Sequence, residues 1–391
     1  MITYLSADYV FPIESPPIKD GVLALNEKNE ITGTYSINDK RLRGEEIRKY
    51  KGILTPGFIN SHCHLELSYL YKKTTSKTGL VSFLQQVMGL PKPDRDSLDM
   101  AMENADKYMF EEGIVAVGDI SNTGISREVK LKSNLYYHTF IEMMCVEPEK
   151  VKDATKQGMD LCEFFHPMSV SITPHAPYSV CKELFRFLKV FCHHSPNLIS
   201  IHNQESEEEN KFYRYKAGDF IAFYEDMNKN IDFFKPQARN SLQSIIPLLP
   251  QKEKILLVHN TYTSYKDINF IERYGSNVTW CLCPNANLYI EGKLPKLTHF
   301  LQSEQPIVLG TDSLASNNSL SILSEIKTLH QYFPDLDFNQ TLTWATLNGS
   351  RYLGIDDTFG SFRIGKRPGI NLINNVEGMS ITADSNVEKL A

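Results

Sequence analysis

Eight apolar, strand-like runs alternate with helical patterns between Leu54 and Ser313, and this alternation constrains the fold more than any other feature of the chain. The first run ends at His64, and the others span residues 114–119, 137–142, 169–175, 198–203, 255–260, 278–283 and 306–312. Strands that alternate with helices form parallel sheets, and eight repeats within roughly 260 residues match a (β/α)8 barrel. The sequence therefore predicts an α/β fold built on a TIM barrel.

Both ends of the chain differ from this middle part, because they read as short strands separated by turns. Such segments include residues 21–25 near the start and residues 369–373 near the end. Neither end is long enough for a separate domain of ordinary size. We therefore expect residues 1–55 and 354–391 to pair as one small β-sandwich domain beside a barrel of residues 56–353.

The composition excludes several classes of partner. The 391 residues carry a net charge of −6, and the basic residues are scattered, so we expect no nucleic acid partner. The start of the chain lacks the basic and apolar regions of a signal peptide, and no apolar run is long enough for a membrane span. Seven cysteines without paired spacing favour free thiols and a cytoplasmic location. The sequence leaves open whether the chain forms a homo-oligomer.

The first strand-like run ends in two histidines, His62 and His64, separated by one residue. Side chains at positions i and i+2 of a strand project to the same face, so the two imidazoles can bind one divalent metal ion. Glu66 continues this parity and should face the same space. Taken alone, such a pair is a weak indication of a metal site.

Further polar residues end other strand-like runs, where the active site of a barrel of this kind is built. They are His175, His202 with Glu205 three residues later, His259, Asn285 and Asp312. We expect one metal ion to be bound by His62, His64, His202 and Asp312, with helix capping as the alternative role of Asp312. Three imidazoles and one carboxylate suit zinc, and iron or manganese are alternatives. Such a metal lowers the pKa of a bound water toward neutrality.

The chain resembles the amidohydrolase superfamily in four segments. These are PGFINSHCH at residues 56–64, IHNQE at 201–205, VH at 258–259 and LGTD at 309–312. Members with two metals usually carry a carboxylated lysine at the end of the fourth strand, where this chain has His175 and no lysine. The segment PHAPYS at 174–179 is similar to that of nucleoside, guanine and S-adenosylhomocysteine-type deaminases. The resemblance therefore implies a mononuclear aminohydrolase.

The same resemblance implies roles for individual residues. Glu205 is the proton shuttle, His259 orients the metal-bound water, and His175 contacts the substrate. In the expected reaction Glu205 protonates a ring nitrogen of a purine, a pyrimidine or an adenosine-type nucleoside. The activated water then attacks the carbon that bears the amino group, Asp312 accepts its proton, and ammonia leaves.

Residues on the substrate side are less constrained by the sequence. Glu66 and Asn285 are candidate substrate contacts, and a salt bridge at the barrel rim is the alternative for Glu66. Residues 207–209 are expected to be solvated acids at the start of a helix. The aromatic segment 212–234 is expected to pack in the core, with a lid over a flat ring as the alternative. The HCHLE and ESEEE segments also resemble those of aminofutalosine deaminases.

Two other function classes fit the same residues. A hydrolase that cleaves a cyclic amide or an aryl chloride would use the same activated water on a different small-molecule substrate, and it would release no ammonia. A barrel that binds metal without catalysis predicts that Glu205→Gln leaves the function intact. Deamination predicts that this substitution lowers the rate by several orders of magnitude.

Overall fold

The computed structural model describes residues 2–391, and its central feature is a ring of eight parallel strands. In chain order the strands are β1 (Thr3–Val10), β2 (Ile18–Leu25), β3 (Ile31–Ser36), β4 (Ile47–Lys49), β5 (Ile53–Pro56), β6 (Phe58–Cys63), β7 (Ile114–Ser121), β8 (Tyr136–Met143), β9 (Ser169–Pro174), β10 (Ile199–Asn203), β11 (Ile255–His259), β12 (Val278–Leu282), β13 (Ile307–Leu309), β14 (Ile370–Glu377) and β15 (Ser380–Lys389). Strands β6–β9 and β10–β13 pair in parallel and in chain order. The predicted α/β fold is confirmed.

Hydrogen bonds across two seams close this ring into a barrel. The N–H of His202 donates to the carbonyl of His175 at 3.0 Å, which joins β10 to β9. The N–H of Thr311 donates to the carbonyl of His62 at 3.0 Å, which joins the end of β13 to β6. The amide of Asn60 adds two bonds to Thr311, at 2.7 and 3.1 Å. Both seams run through predicted site residues, so closure of the barrel also assembles the site.

Helices connect these strands and bury one face against them. They are α1 (Leu80–Gly89), α2 (Arg95–Glu111), α3 (Arg127–Lys132), α4 (Val151–Phe165), α5 (Lys182–His194), α6 (Glu207–Tyr215), α7 (Asp219–Asp226), α8 (Ser241–Ile245), α9 (Tyr265–Tyr274), α10 (Pro284–Ile290), α11 (Leu297–Leu301), α12 (Ile322–Tyr332), α13 (Phe338–Ala345) and α14 (Leu347–Leu353). In α5, for example, Leu184, Leu188 and Cys192 recur at helical spacing and are buried. Among residues 2–391, every helix is too short or too polar to cross a bilayer.

Strands from both chain ends form one mixed sheet beside the barrel. Its order is β15-β14-β5-β1-β2-β3, and β4 pairs with β1. Strand β14 pairs antiparallel with β5, so that Ile370 lies opposite Pro56 at the entrance to the first barrel strand. Leu5, Leu23 and Phe362 belong to the apolar cluster of this sheet. The sheet thus ties both ends of the chain to the barrel.

Candidate active site

Four side chains at the carboxyl ends of β6, β10 and β13 converge at one place in the barrel. The ligand atoms of His62, His64, His202 and Asp312 all lie within 4.8 Å of one another, and all four residues are buried. The Nε2 atoms of His62 and His64 are 3.1 Å apart, and Asp312 Oδ1 lies 3.6 and 3.4 Å from them, respectively. Ligand atoms of a tetrahedral zinc ion, each about 2.0–2.1 Å from the metal, are separated by about 3.3 Å. The spacing therefore fits one metal ion.

Neighbouring hydrogen bonds orient two of these ligands. The Nδ1–H of His202 donates to the carbonyl of His175 at 2.7 Å, so Nε2 carries no proton and is available to a metal. The hydroxyl of Ser316 donates to Asp312 Oδ2, while Asp312 Oδ1 lies toward the imidazoles. His202 and Asp312 are thus held in place by a backbone and a side-chain partner, respectively.

The electrostatics of the cluster favour the forms that bind metal. Burial lowers the pKa of His62, lowers that of His64 further, and lowers that of His202 to about 4. Burial alone would favour a protonated Asp312, but its contact with His62 and the neighbouring imidazoles hold the pKa of that carboxyl below its usual range. Neutral imidazoles beside a carboxylate are the ligand forms that a divalent cation requires. The four side chains are therefore arranged as a group that can hold one divalent metal ion.

Glu205 and His259 face each other beside this cluster. Glu205 Oε1 lies 3.6 Å from His259 Nε2. The Nδ1–H of His259 donates to Asn287 Oδ1 at 3.0 Å, and Asn287 Nδ2 donates back to the carbonyl of His259 at 3.1 Å. Burial raises the pKa of Glu205 well above its usual value, and Asp312 adds to this, whereas burial lowers the pKa of His259 to about 4. Burial thus favours the uncharged carboxyl of Glu205 and the uncharged imidazole of His259.

The backbone at these strand ends is strained. Gln204, His259 and Asp312 have φ angles of 44°, 74° and 58°, in the left-handed region that few residues other than glycine adopt. Each such residue costs about 1–3 kcal/mol and persists where tertiary contacts impose it. The position two residues before Asp312 requires glycine, because a Cβ on Gly310 would lie 2.8 Å from the Cβ of His62. Strain of this kind is typical of functional sites.

The cluster lies at the floor of a cavity of about 570 Å³, a size typical of small-molecule sites. His175 lines this cavity, and its Nδ1–H donates to Ser179 Oγ at 2.6 Å. Burial lowers the pKa of His175 to about 3, so the ring is neutral and its Nε2 is an acceptor. Apolar residues line much of the cavity, including Leu80, Phe83, Val87, Met144 and Met227, and it is also lined by the charged residues Glu147, Lys150, Asp153 and Lys229.

The structure corrects the prediction that Glu66 shares the direction of His64. Strand β6 ends at Cys63, and a 3₁₀ helix over Leu65–Leu70 follows, so the parity of the strand does not extend to Glu66. Its carboxylate accepts from the N–H groups of Asn122 and Thr123 at 3.2 and 3.1 Å, and from the hydroxyl of Ser126 at 3.3 Å. Glu66 therefore anchors the loop after β7, and it is not among the residues that line the cavity.

Asn285 is also turned away from the cavity. Helix α10 begins at Pro284, and residues two apart on a helix point about 200° from each other. Asn285 Nδ2 donates to Glu325 at 3.0 Å, and Thr328 donates to Asn285 Oδ1 at 2.5 Å. The structure therefore brings Asn287 to His259 and leaves Asn285 bonded to α12. Both residues belong to the segment CPNAN, and their roles differ because they point to opposite sides of α10.

Two buried carboxylates near the site were not recognised from the sequence. Glu142, the penultimate residue of β8, lines the cavity, accepts from Asn122 Nδ2 at 2.8 Å and lies 3.7 Å from Nδ1 of His202. Its position near a strand end was an available signal. Glu209 was expected to be solvated, and this was wrong, because it is 0% exposed. Glu207 and Glu208, its neighbours, are partly exposed.

A (β/α)8 barrel with three histidines and an aspartate at its strand ends defines a metal-dependent hydrolase. The sequence matches the amidohydrolase family over residues 53–389. The chain therefore belongs to the amidohydrolase family. This confirms both the superfamily predicted from the motifs and the predicted enzyme class, a hydrolase that acts on carbon–nitrogen bonds.

Individual relatives are similar over most of their length. The chain is 27% identical to an adenosine deaminase of Helicobacter pylori over 327 residues, which cover 82% of this chain and 78% of that protein. The crystal structure of an aminofutalosine deaminase of H. pylori with methylthio-coformycin has a TM-score of 0.81 at 23% identity and covers 97% and 93% of the two chains. An adenosine deaminase of Xanthomonas campestris with bound zinc has a TM-score of 0.76 at 20% identity, covering 95% and 84%.

Proposed function

We propose that this protein is a hydrolytic deaminase that releases the exocyclic amino group of an adenosine-type nucleoside as ammonia. The observation that carries the proposal is the pair formed by Glu205 and His259 at 3.6 Å beside the metal cluster, in which burial raises the pKa of the carboxyl and lowers that of the imidazole. The names of the relatives support the nucleoside class, since they are an adenosine deaminase and an aminofutalosine deaminase. We treat residues 56–353 as the catalytic domain and the two chain ends as a supporting one.

The metal in this proposal is zinc. Three imidazoles and one carboxylate at near-tetrahedral spacing suit zinc, and the X. campestris adenosine deaminase contains bound zinc. We assign His62, His64, His202 and Asp312 as its ligands. When bound, the metal supplies a water that is activated for attack at neutral pH.

The surrounding side chains move the protons. Glu205 donates its proton to the ring nitrogen beside the carbon that bears the amino group, which makes that carbon electrophilic. His259 orients the attacking water through Nε2, because its Nδ1 is occupied by Asn287. Asp312 accepts a proton from this water through Oδ1, while Ser316 holds Oδ2, and passes it to the amino group, which leaves as ammonia. Glu205 regains its proton from the hydroxyl group left on the carbon as the oxo product forms. Proton transfers of this kind contribute about 10²–10⁴-fold each.

The shape of the cavity suggests which nucleosides fit. The cavity is lined by Phe83, Met144 and Met227 and also by the charged residues Glu147, Lys150 and Lys229. Because its volume of about 570 Å³ leaves room beyond a heterocycle, we propose a substrate that extends past its base, such as an adenosine with a 5′ substituent. His175 is a substrate contact in this arrangement, as an acceptor for a ring N–H or hydroxyl.

Ammonia release from a substrate panel tests this function. The zinc-loaded protein would be assayed with adenosine, 5′-methylthioadenosine, aminofutalosine, guanine, a cyclic amide and an aryl chloride on a triazine. We expect ammonia from the adenosine-type compounds, with the highest kcat/KM for one that carries a 5′ substituent. Absence of ammonia from all adenosine-type compounds, or turnover of only the cyclic amide or the chloride, would overturn the proposal.

A further inference from the structure

Glu209 binds the backbone that carries Glu205. The side chain of Glu209 belongs to the first turn of α6 and is 0% exposed. Its Oε1 accepts from the N–H of Gln204 at 2.9 Å, and its Oε2 accepts from the N–H of Glu205 at 3.4 Å. One carboxylate thus spans both peptide groups between the end of β10 and the proton-shuttle candidate.

This contact differs from an ordinary helix cap. The segment ESEEE contains the Ser-x-x-Glu pattern of a capping box, in which the glutamate would accept from the N–H of the N-cap residue. Ser206 is the N-cap of α6 and accepts from the N–H of Glu209 at 3.3 Å, as that pattern predicts. The carboxylate of Glu209, however, reaches one and two residues further back. It therefore connects the helix to the site loop instead of completing the cap.

The loop needs such a connection because Gln204 has a φ of 44°. A left-handed residue other than glycine persists only where its surroundings impose that conformation. The N–H of Tyr262 donates to the carbonyl of Gln204 at 2.9 Å, and Glu209 accepts from its N–H on the other side. Without Glu209, the buried N–H groups of Gln204 and Glu205 would lose this acceptor, and the loop could relax away from His259.

We propose that Glu209 is a positioning residue for the deamination reaction, which holds the carboxyl of Glu205 at the distance from which it protonates the substrate. This inference rests on the proposed function of Glu205 as proton shuttle. It predicts that loss of Glu209 lowers turnover more than substrate binding, because most of the cavity wall and three of the four clustered metal ligands lie on other segments of the chain.

The test compares Glu209→Ala and Glu209→Gln with the matched control Glu207→Gln, which changes a partly exposed glutamate of the same helical turn. Each zinc-loaded variant is assayed for kcat and KM by ammonia release, for metal content, and for hydrogen exchange of the peptide that covers residues 203–206. For Glu209→Ala we expect kcat to fall about 10- to 100-fold, because small displacements of reacting groups cost this much. KM should change by less than about threefold, metal content should stay the same, and residues 204 and 205 should exchange faster. Glu209→Gln should recover part of kcat, since its amide oxygen still accepts a hydrogen bond, and Glu207→Gln should match the unsubstituted protein.

Several results would overturn the inference. A kcat within about twofold in Glu209→Ala, or unchanged exchange at residues 204 and 205, would show that the carboxylate does not position the loop. A joint loss of metal and turnover would show that its role is to maintain the fold. If the unsubstituted protein releases no ammonia from any nucleoside, the proposed function fails, and the exchange measurement separately decides whether Glu209 holds this loop.

Discussion

Replacing Glu205 with glutamine separates a catalytic role from a structural one. The side chain of Glu205 is buried, and its Oε1 lies 3.6 Å from Nε2 of His259. Glutamine has the same shape but cannot deliver a proton to a ring nitrogen. Burial raises the pKa of Glu205 well above its usual value, so the site disfavours the charged form that glutamine lacks.

The expected magnitude follows from the proton that is lost. A positioned general acid contributes about 10²–10⁴-fold to the rate, which corresponds to about 3–5 kcal/mol of transition-state stabilisation at 1.36 kcal/mol per tenfold. Glu205→Gln should therefore lower kcat by that factor. The Tm should be unchanged or higher, because an ionisable group leaves a buried position. Metal content should also be unchanged, since Glu205 is not among the clustered ligands.

Ammonia release under substrate saturation would measure kcat, and metal analysis and thermal unfolding would be performed on the same preparation. Glu207→Gln serves as the control, because it makes the same chemical change two residues away at a partly exposed position. If Glu205→Gln keeps more than about a tenth of the native kcat, Glu205 is not the proton donor and the mechanism proposed above is wrong.

Three further predictions test other parts of the site and the fold. His64→Ala should reduce the metal content from about one equivalent to less than about a tenth, measured by elemental analysis, because three clustered ligands bind far more weakly than four. Asn285→Ala should lower the Tm but change KM by less than about twofold in the ammonia assay, because its amide binds Glu325 and Thr328 rather than the cavity; a larger KM effect would restore its role as a substrate contact. Burial lowers the pKa of His138 to about 4, so its contribution to stability is present above pH 6.5 and is lost as the pH falls toward 4. Between these pH values the unsubstituted protein should therefore lose up to about 3 kcal/mol more unfolding free energy than His138→Gln, as measured by urea denaturation. Equal losses in both proteins would contradict this.

Much of the fold and the metal cluster follows from local sequence pattern. Apolar runs separated by helical periods predicted the strands at nearly their observed positions, because alternation of the two periods is a property of neighbouring residues. His62, His64, His202 and Asp312 were found because each lies at or next to the carboxyl end of a strand, and a parallel barrel places all such ends at one rim. Their identification did not depend on knowledge of any particular side-chain contact.

The roles of Glu66, Asn285 and Glu209 could not be read in this way. Each depends on how the backbone turns after a strand: a 3₁₀ helix redirects Glu66, the start of α10 redirects Asn285, and the left-handed Gln204 brings two N–H groups to Glu209. Such turns are imposed by long-range contacts, and a change of one residue in the start of a helix rotates a side chain by about 100°. The sequence by itself therefore determined the barrel and the set of candidate metal ligands. The tertiary structure alone decided which neighbouring polar residues face the cavity and which support it from behind, because only the closed barrel supplies their partners.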